Sequence, residues 1–80
     1  MSEIWLIRVA RAPKHPHWKK GAWVAERRHP MDYSITFGQV PSLREASIYR
    51  THAEALGAIE RYGKVYAPLT FEPVRFREET

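Results

Sequence analysis

The chain has no cysteine, a single aspartate and no apolar run longer than the four residues Ile4-Trp5-Leu6-Ile7. Without thiols there is neither a disulfide nor a thiolate metal site, and a small core must be held by packing alone. Four apolar residues fall far short of the ~20 that span a bilayer as a helix, so no membrane partner is expected. Met1-Ser2-Glu3 places an acid where a secretory leader is basic, which leads us to expect a cytoplasmic protein. Gly-x-Ser-x-Gly, Gly-x-x-x-x-Gly-Lys-Ser/Thr and Gly-x-Gly-x-x-Gly are all missing. Their absence removes the nucleophile elbow, the phosphate-cradling loop and the dinucleotide fingerprint. No cofactor is implied.

What is present is a globular composition, with 44% hydrophobic and 28% charged residues in 80. That length makes one domain, residues 1–80, burying little more than ~60% of its unfolded surface. Three Trp, four Tyr and three Phe must supply much of the core, each burying about 150–250 Å².

The net charge of +4 is unevenly spread. Residues 1–31 carry Arg8, Arg11, Lys14, Lys19, Lys20, Arg27 and Arg28 against Glu3 and Glu26, whereas residues 32–80 are close to neutral. A charged partner would feel the N-terminal half first, although a modest surplus also serves solubility.

Periodicity predicts an α+β fold: a small antiparallel sheet of three to five strands with one helix on one face. Ile4–Val9 reads as a strand with Trp5, Ile7 and Val9 on one side. Arg11–Gly21 contains Pro13 and Pro16 and no acid, and reads as a long loop. Ala22–Arg28 is a second strand, with Trp23 and Ala25 opposite Val24 and Glu26, closing a long hairpin with the first. A third short strand ends near Gly38. Ser42-Leu43-Arg44-Glu45 has capping-box form and admits a helix start, but the strand character of Ser47–Arg50 favours a loop followed by a strand. Thr51-His52-Ala53-Glu54 is a capping box opening a helix over about 52–62. Leu56, Ile59 and Tyr62 form its stripe, Gly57 permits close packing on the sheet, and Gly63 suits a left-handed C-cap. Pro68 interrupts Val65–Leu69. Val74 and Phe76 alternate with Arg75 and Arg77 in a closing strand, which Pro73 confines to an edge.

One short helix shields only part of one sheet face, so the remainder must be polar or covered by a loop or by another molecule. The basic, aromatic segment is the candidate cover or the candidate working surface. Lys14, His15, His17, Trp18, Lys19 and Lys20 interleave cations with an indole, a pattern suited to phosphate contacts and base stacking. Alternatively, Trp18 folds back and plugs the sheet face. Lys20-Gly21-Ala22-Trp23-Val24 resembles the aromatic strand of RNA-recognition domains, but the helix that family requires after its first strand is missing, which excludes it. Trp and Arg also dominate protein interfaces.

The expected function is therefore a non-enzymatic binding module docking onto a protein or nucleoprotein partner through Arg11, Lys14, His17, Trp18, Lys19, Lys20, Arg27 and Arg28. Direct nucleic-acid binding by the same residues is the alternative, and the edge strand admits a homodimer. A metal-independent ribonuclease toxin built from Lys20, Arg28, His29 and Tyr33 is a third reading. A metal at His15, His17, His29 and Asp32 matches no established ligand spacing and is not expected. In size and lack of catalytic motifs the chain resembles, by type only, the small phage and mobile-element proteins that occlude a host complex, anti-CRISPR proteins among them.

Overall fold

The structure is a computed structural model, and it describes residues 3–13 and 17–77. Four strands, β1 (Glu3–Arg11), β2 (Trp23–Arg28), β3 (Ile35–Val40) and β4 (Thr70–Arg77), form one antiparallel sheet in the order β3-β2-β1-β4. The predicted α+β class is what is observed. No helix among the described residues is long and apolar enough to cross a membrane.

Alternation along the strands fixes which side chains meet the helix. Ile7 and Val9 are buried with Val24 and Phe37 on the helix side, and Trp5 and Phe71 pack against them. Leu6 and Val40 lie on the other side with Ile4, Trp23, Ala25 and Phe76 around them. That second face is covered in part by the chain after β3, where a single 3-10 turn (Leu43–Glu45) brings Leu43 and Ala46 onto it. Ser42 does cap this turn, its hydroxyl accepting from the Arg44 amide. A one-turn helix results because Ala46 returns at once to extended backbone. Pro73 sits in the outer strand β4, opposite Ile7, where an edge tolerates a missing N–H.

The centre of the sheet is split. β1 and β2 are in register at Arg8 and Trp23, and the ladder is extended toward the loop by Val9 N–H to Ala22 O at 2.9 Å and Gly21 N–H to Val9 O at 2.8 Å. On the other side of that point Ser47–Tyr49 enters between the two strands. Ser47 donates its amide to Val24 O at 3.2 Å and accepts the Glu26 amide on its hydroxyl at 2.8 Å. Tyr49 exchanges two backbone bonds with Trp5, at 2.7 and 2.8 Å. The strand expected over 47–50 is thus one bridge at Tyr49. Its neighbours diverge, so the segment bonds β2 at one residue and β1 two residues later.

The helix begins immediately afterwards. Thr51 Oγ1 accepts the Glu54 amide at 3.1 Å, while Glu54 Oε2 reaches past the cap to the Arg50 amide at 3.0 Å. α1 (His52–Ala58) runs into a π-helical stretch, Ile59–Gly63, and a 3-10 turn, Lys64–Tyr66, so the helical path outlasts the predicted end. Ala55 and Ala58 are buried, with Ile59 and Tyr62 beside them, spacing that defines one helix face. Leu56, expected in that stripe, is 40% exposed; at about 100° per residue it falls outside the sector these four share.

Both helical glycines depart from expectation. Gly63 keeps a right-handed φ of −83° and is no left-handed cap. It is glycine for space, since a Cβ there would stand 2.9 Å from Phe71 Cδ2. Gly57 packs on nothing, with no atom within 4 Å of a Cβ built on it. Gly63→Ala should therefore cost about 1–3 kcal/mol by overpacking, whereas Gly57→Ala should gain about 1 kcal/mol from helix propensity. Chemical denaturation of the two variants checks this, and equal effects of one sign would contradict the assignment.

Candidate functional site

The sequence-predicted cations fall at the two ends of the sheet and do not form one patch. Arg11, His17, Lys19 and Lys20 are exposed at the end where β1 gives way to the long loop. Arg27 and Arg28 are exposed at the far end of β2, which alone spans roughly 17 Å at about 3.3 Å per residue. Lys14 and His15 lie outside the described residues.

Trp18 is half-buried, its ring 5.3 Å from Tyr66 and 5.6 Å from Phe71 in tilted and edge-on contacts. Of the two roles open to it, the packing is that of a plug over the helix-side core. Gln39 of β3 fixes it there. The amide oxygen accepts from Lys19 N–H at 2.6 Å, and the amide nitrogen donates to His17 O at 3.0 Å, bracketing Trp18 in the chain. The exposed side chains of Lys19 and Lys20 therefore project from a braced backbone.

At the other end the β2–β3 hairpin closes over His29–Ser34, with His29 N–H to Ser34 O and Tyr33 N–H to His29 O both at 2.9 Å. Asp32 Oδ1 accepts from the Ser34 amide at 3.0 Å and from its hydroxyl at 2.8 Å. Those bonds, the backbone one foremost, hold the Asp32 carboxyl below its ordinary value. Tyr33 adopts φ of +60°, a left-handed conformation that costs a bulky residue. Met31 and Tyr33 are 92% and 73% exposed, the tip of a hairpin whose base carries Arg27 and Arg28. Sequence reasoning missed Met31 and weighed Tyr33 only as a member of the ribonuclease reading. The available signal was a methionine and a tyrosine inside a turn otherwise made of His, Pro, Asp and Ser. Arg27 itself lies across Gly38, where a Cβ would come within 2.2 Å of its Nε.

Between α1 and β2 is a cleft of about 440 Å³ lined by Glu26, Tyr49, Ala53, Glu54, Gly57, Ala58, Arg61 and Tyr62. The Tyr49 hydroxyl donates to Glu26 Oε2 at 2.6 Å. Burial, and then the Glu26 carboxylate, push the Tyr49 phenol well above its ordinary value, so it remains a neutral donor. Tyr62 stands edge-on to Phe37, with centroids 5.8 Å apart.

The four residues of the ribonuclease reading are not brought together, because Lys20 lies at the loop end while Arg28, His29 and Tyr33 lie at the hairpin end. His29 Nε2 instead stands 3.4 Å from Thr36 Oγ1. Among the described residues no three His, Asp or Glu side chains are grouped to hold a metal. No protein-family model matches the chain, and neither a curated protein nor a solved structure is similar to it.

Tyr49 ties the inserted segment to β2 and also titrates. Its neutral form is favoured on folding, so its stabilisation is intact below the ordinary phenol value of about 10 and is lost as pH rises above it. Tyr49→Phe should be less stable at neutral pH, leaving a half-buried Glu26 oxygen without its donor. It should also lose less stability than wild type between pH 9 and 11 (a range set by the ordinary phenol value of about 10). Parallel denaturation curves across that range would contradict the coupling.

Proposed function

We propose that this protein is a non-enzymatic binding module that docks stoichiometrically onto a larger protein or nucleoprotein complex. One observation carries the reading: Met31 and Tyr33 stand exposed on a hydrogen-bonded turn. A left-handed tyrosine gives the monomer nothing that glycine would not supply at lower cost. A rigid, protruding apolar and aromatic pair beside Arg27 and Arg28 suits the buried centre of an interface, where Tyr, Met and Arg are enriched. The partner that fits is an apolar recess with an acidic rim. Arg11, Lys19 and Lys20 add an outlying positive field that speeds encounter with an acidic surface. A small inhibitor of the anti-CRISPR type, acting by occlusion, would use such a surface.

Direct nucleic-acid binding is the second reading, supported by exposed Arg11 at the end of β1 and exposed Lys19 and Lys20 on the braced loop. It loses part of its basis because Trp18 is engaged with Tyr66 and Phe71 and offers less ring for stacking.

The two readings separate in a pull-down from the native host, run with nuclease treatment and at two salt concentrations. Tyr33→Gly relieves the backbone, so the double variant Met31→Ser, Tyr33→Gly should fold at least as well as wild type. We expect a protein retained by wild type, lost with that variant and indifferent to nuclease. Retention of nucleic acid instead, with a log–log salt slope near −0.7 to −0.9 per phosphate that flattens in Lys19→Ala, Lys20→Ala, would establish the second reading.

A further inference from the structure

We infer that the cleft between α1 and β2 is a second binding site, one that receives a lysine or arginine side chain carried by a polypeptide partner. Three observations converge on it. The first is Glu26. Its carboxylate is half-buried, accepts the Tyr49 hydroxyl through Oε2, and forms an ion pair with no cation among the described residues. A carboxylate beside a low-dielectric core attracts a cation more strongly than one in open water, and a charge-assisted hydrogen bond adds to that attraction. Arg61 also lines the cleft but forms no ion pair with Glu26. Glu54, which also lines the cleft, spends one oxygen on the Arg50 amide.

The second observation is the lining. Tyr49 and Tyr62 flank the acid, and Ala53, Gly57 and Ala58 make the helix wall. Aromatic faces favour a cation, and short apolar side chains favour the aliphatic stem that bears it. A volume of about 440 Å³ lies in the lower part of the range of small-molecule sites, roughly 300–1,000 Å³.

The third is Gly57. A glycine inside a helix costs about 1 kcal/mol against alanine, yet a Cβ on Gly57 would meet no atom of this chain. The fold does not require the residue. A partner's main chain lying against the helix would use it, because the missing Cβ lets two backbones approach closely. This is why a polypeptide-borne cation is favoured over a free amine.

The site is independent of the hairpin tip, and its test separates the two. The probes are acetyl-Ala-Arg-Ala-amide and acetyl-Ala-Lys-Ala-amide, titrated into ¹⁵N-labelled full-length protein. Controls are the citrulline peptide, which keeps the shape without the charge, and putrescine, which keeps the charge without a backbone. We expect saturable shifts confined to Glu26, Tyr49, Gly57 and Tyr62, and at least tenfold weaker binding of the citrulline peptide and of putrescine. Glu26→Gln retains an acceptor for Tyr49 but not the charge, and should weaken the cationic peptides about tenfold or more. Gly57→Leu fills the cleft from a position with free space, so it should abolish binding while raising the denaturation midpoint. The Met31→Ser, Tyr33→Gly variant should bind the peptides like wild type. Shifts elsewhere or none at all would overturn the assignment, as would unaltered affinity in Gly57→Leu or equal binding of arginine and citrulline peptides. Putrescine binding as tightly as the peptides would overturn the polypeptide part.

Discussion

The structure depends on what fills the gap between β1 and β2. The two central strands pair around Arg8 and Trp23 and then part, which would leave Trp5, Val24 and Glu26 with unmet backbone groups in the middle of the sheet. Ser47 and Tyr49 meet them, one strand each. An unpaired buried amide or carbonyl costs about 1–3 kcal/mol, so losing the insert would threaten a domain of this size. The inserted segment also sets where everything after it lies. Thr51 caps the helix two positions beyond Tyr49, so the insertion point fixes the helix over Ile7 and Val24. The phenol of Tyr49 fixes Glu26 at the floor of the cleft.

From that constraint follow the separate surfaces. The sheet carries cations at both ends, and the helix side carries an acid-floored cleft between them. Each is held by hydrogen bonds within the chain: Gln39 across the Trp18 loop, Asp32 with Ser34 in the hairpin, Tyr49 with Glu26 under the helix. Surfaces organised before a partner arrives lose less conformational entropy on binding.

Local pattern made much of the fold legible. Alternation at Trp5, Ile7 and Val9 gave the helix-side face of β1, the Thr51 box gave the helix start, and Pro73 placed the last strand at an edge. Features resting on contacts between distant residues were hidden. Ser47–Arg50 looks like a strand because its residues suit extended backbone, and nothing local says that its neighbours diverge. Gly63 looks like a C-cap because the clash that requires it comes from Phe71. For the candidate surfaces, residue types were readable but their grouping was not. Arg11 and Arg28 belong to one basic stretch of sequence, yet β2 carries the chain from one end of the sheet to the other between them. Trp18 could be weighed as plug or platform, but Gln39, which braces the backbone on either side of it, lies on a strand distant in sequence.

Native-state hydrogen exchange reads the central constraint most directly, through the amides of Trp5, Ser47 and Tyr49, each bonded across the split. If the insert is integral to the sheet, all three exchange only by global unfolding, with the same protection as the Val9 amide in the paired half. Exchange of Ser47 and Tyr49 at loop rates, while Val9 remains protected, would show that the sheet stands without them and would contradict the account.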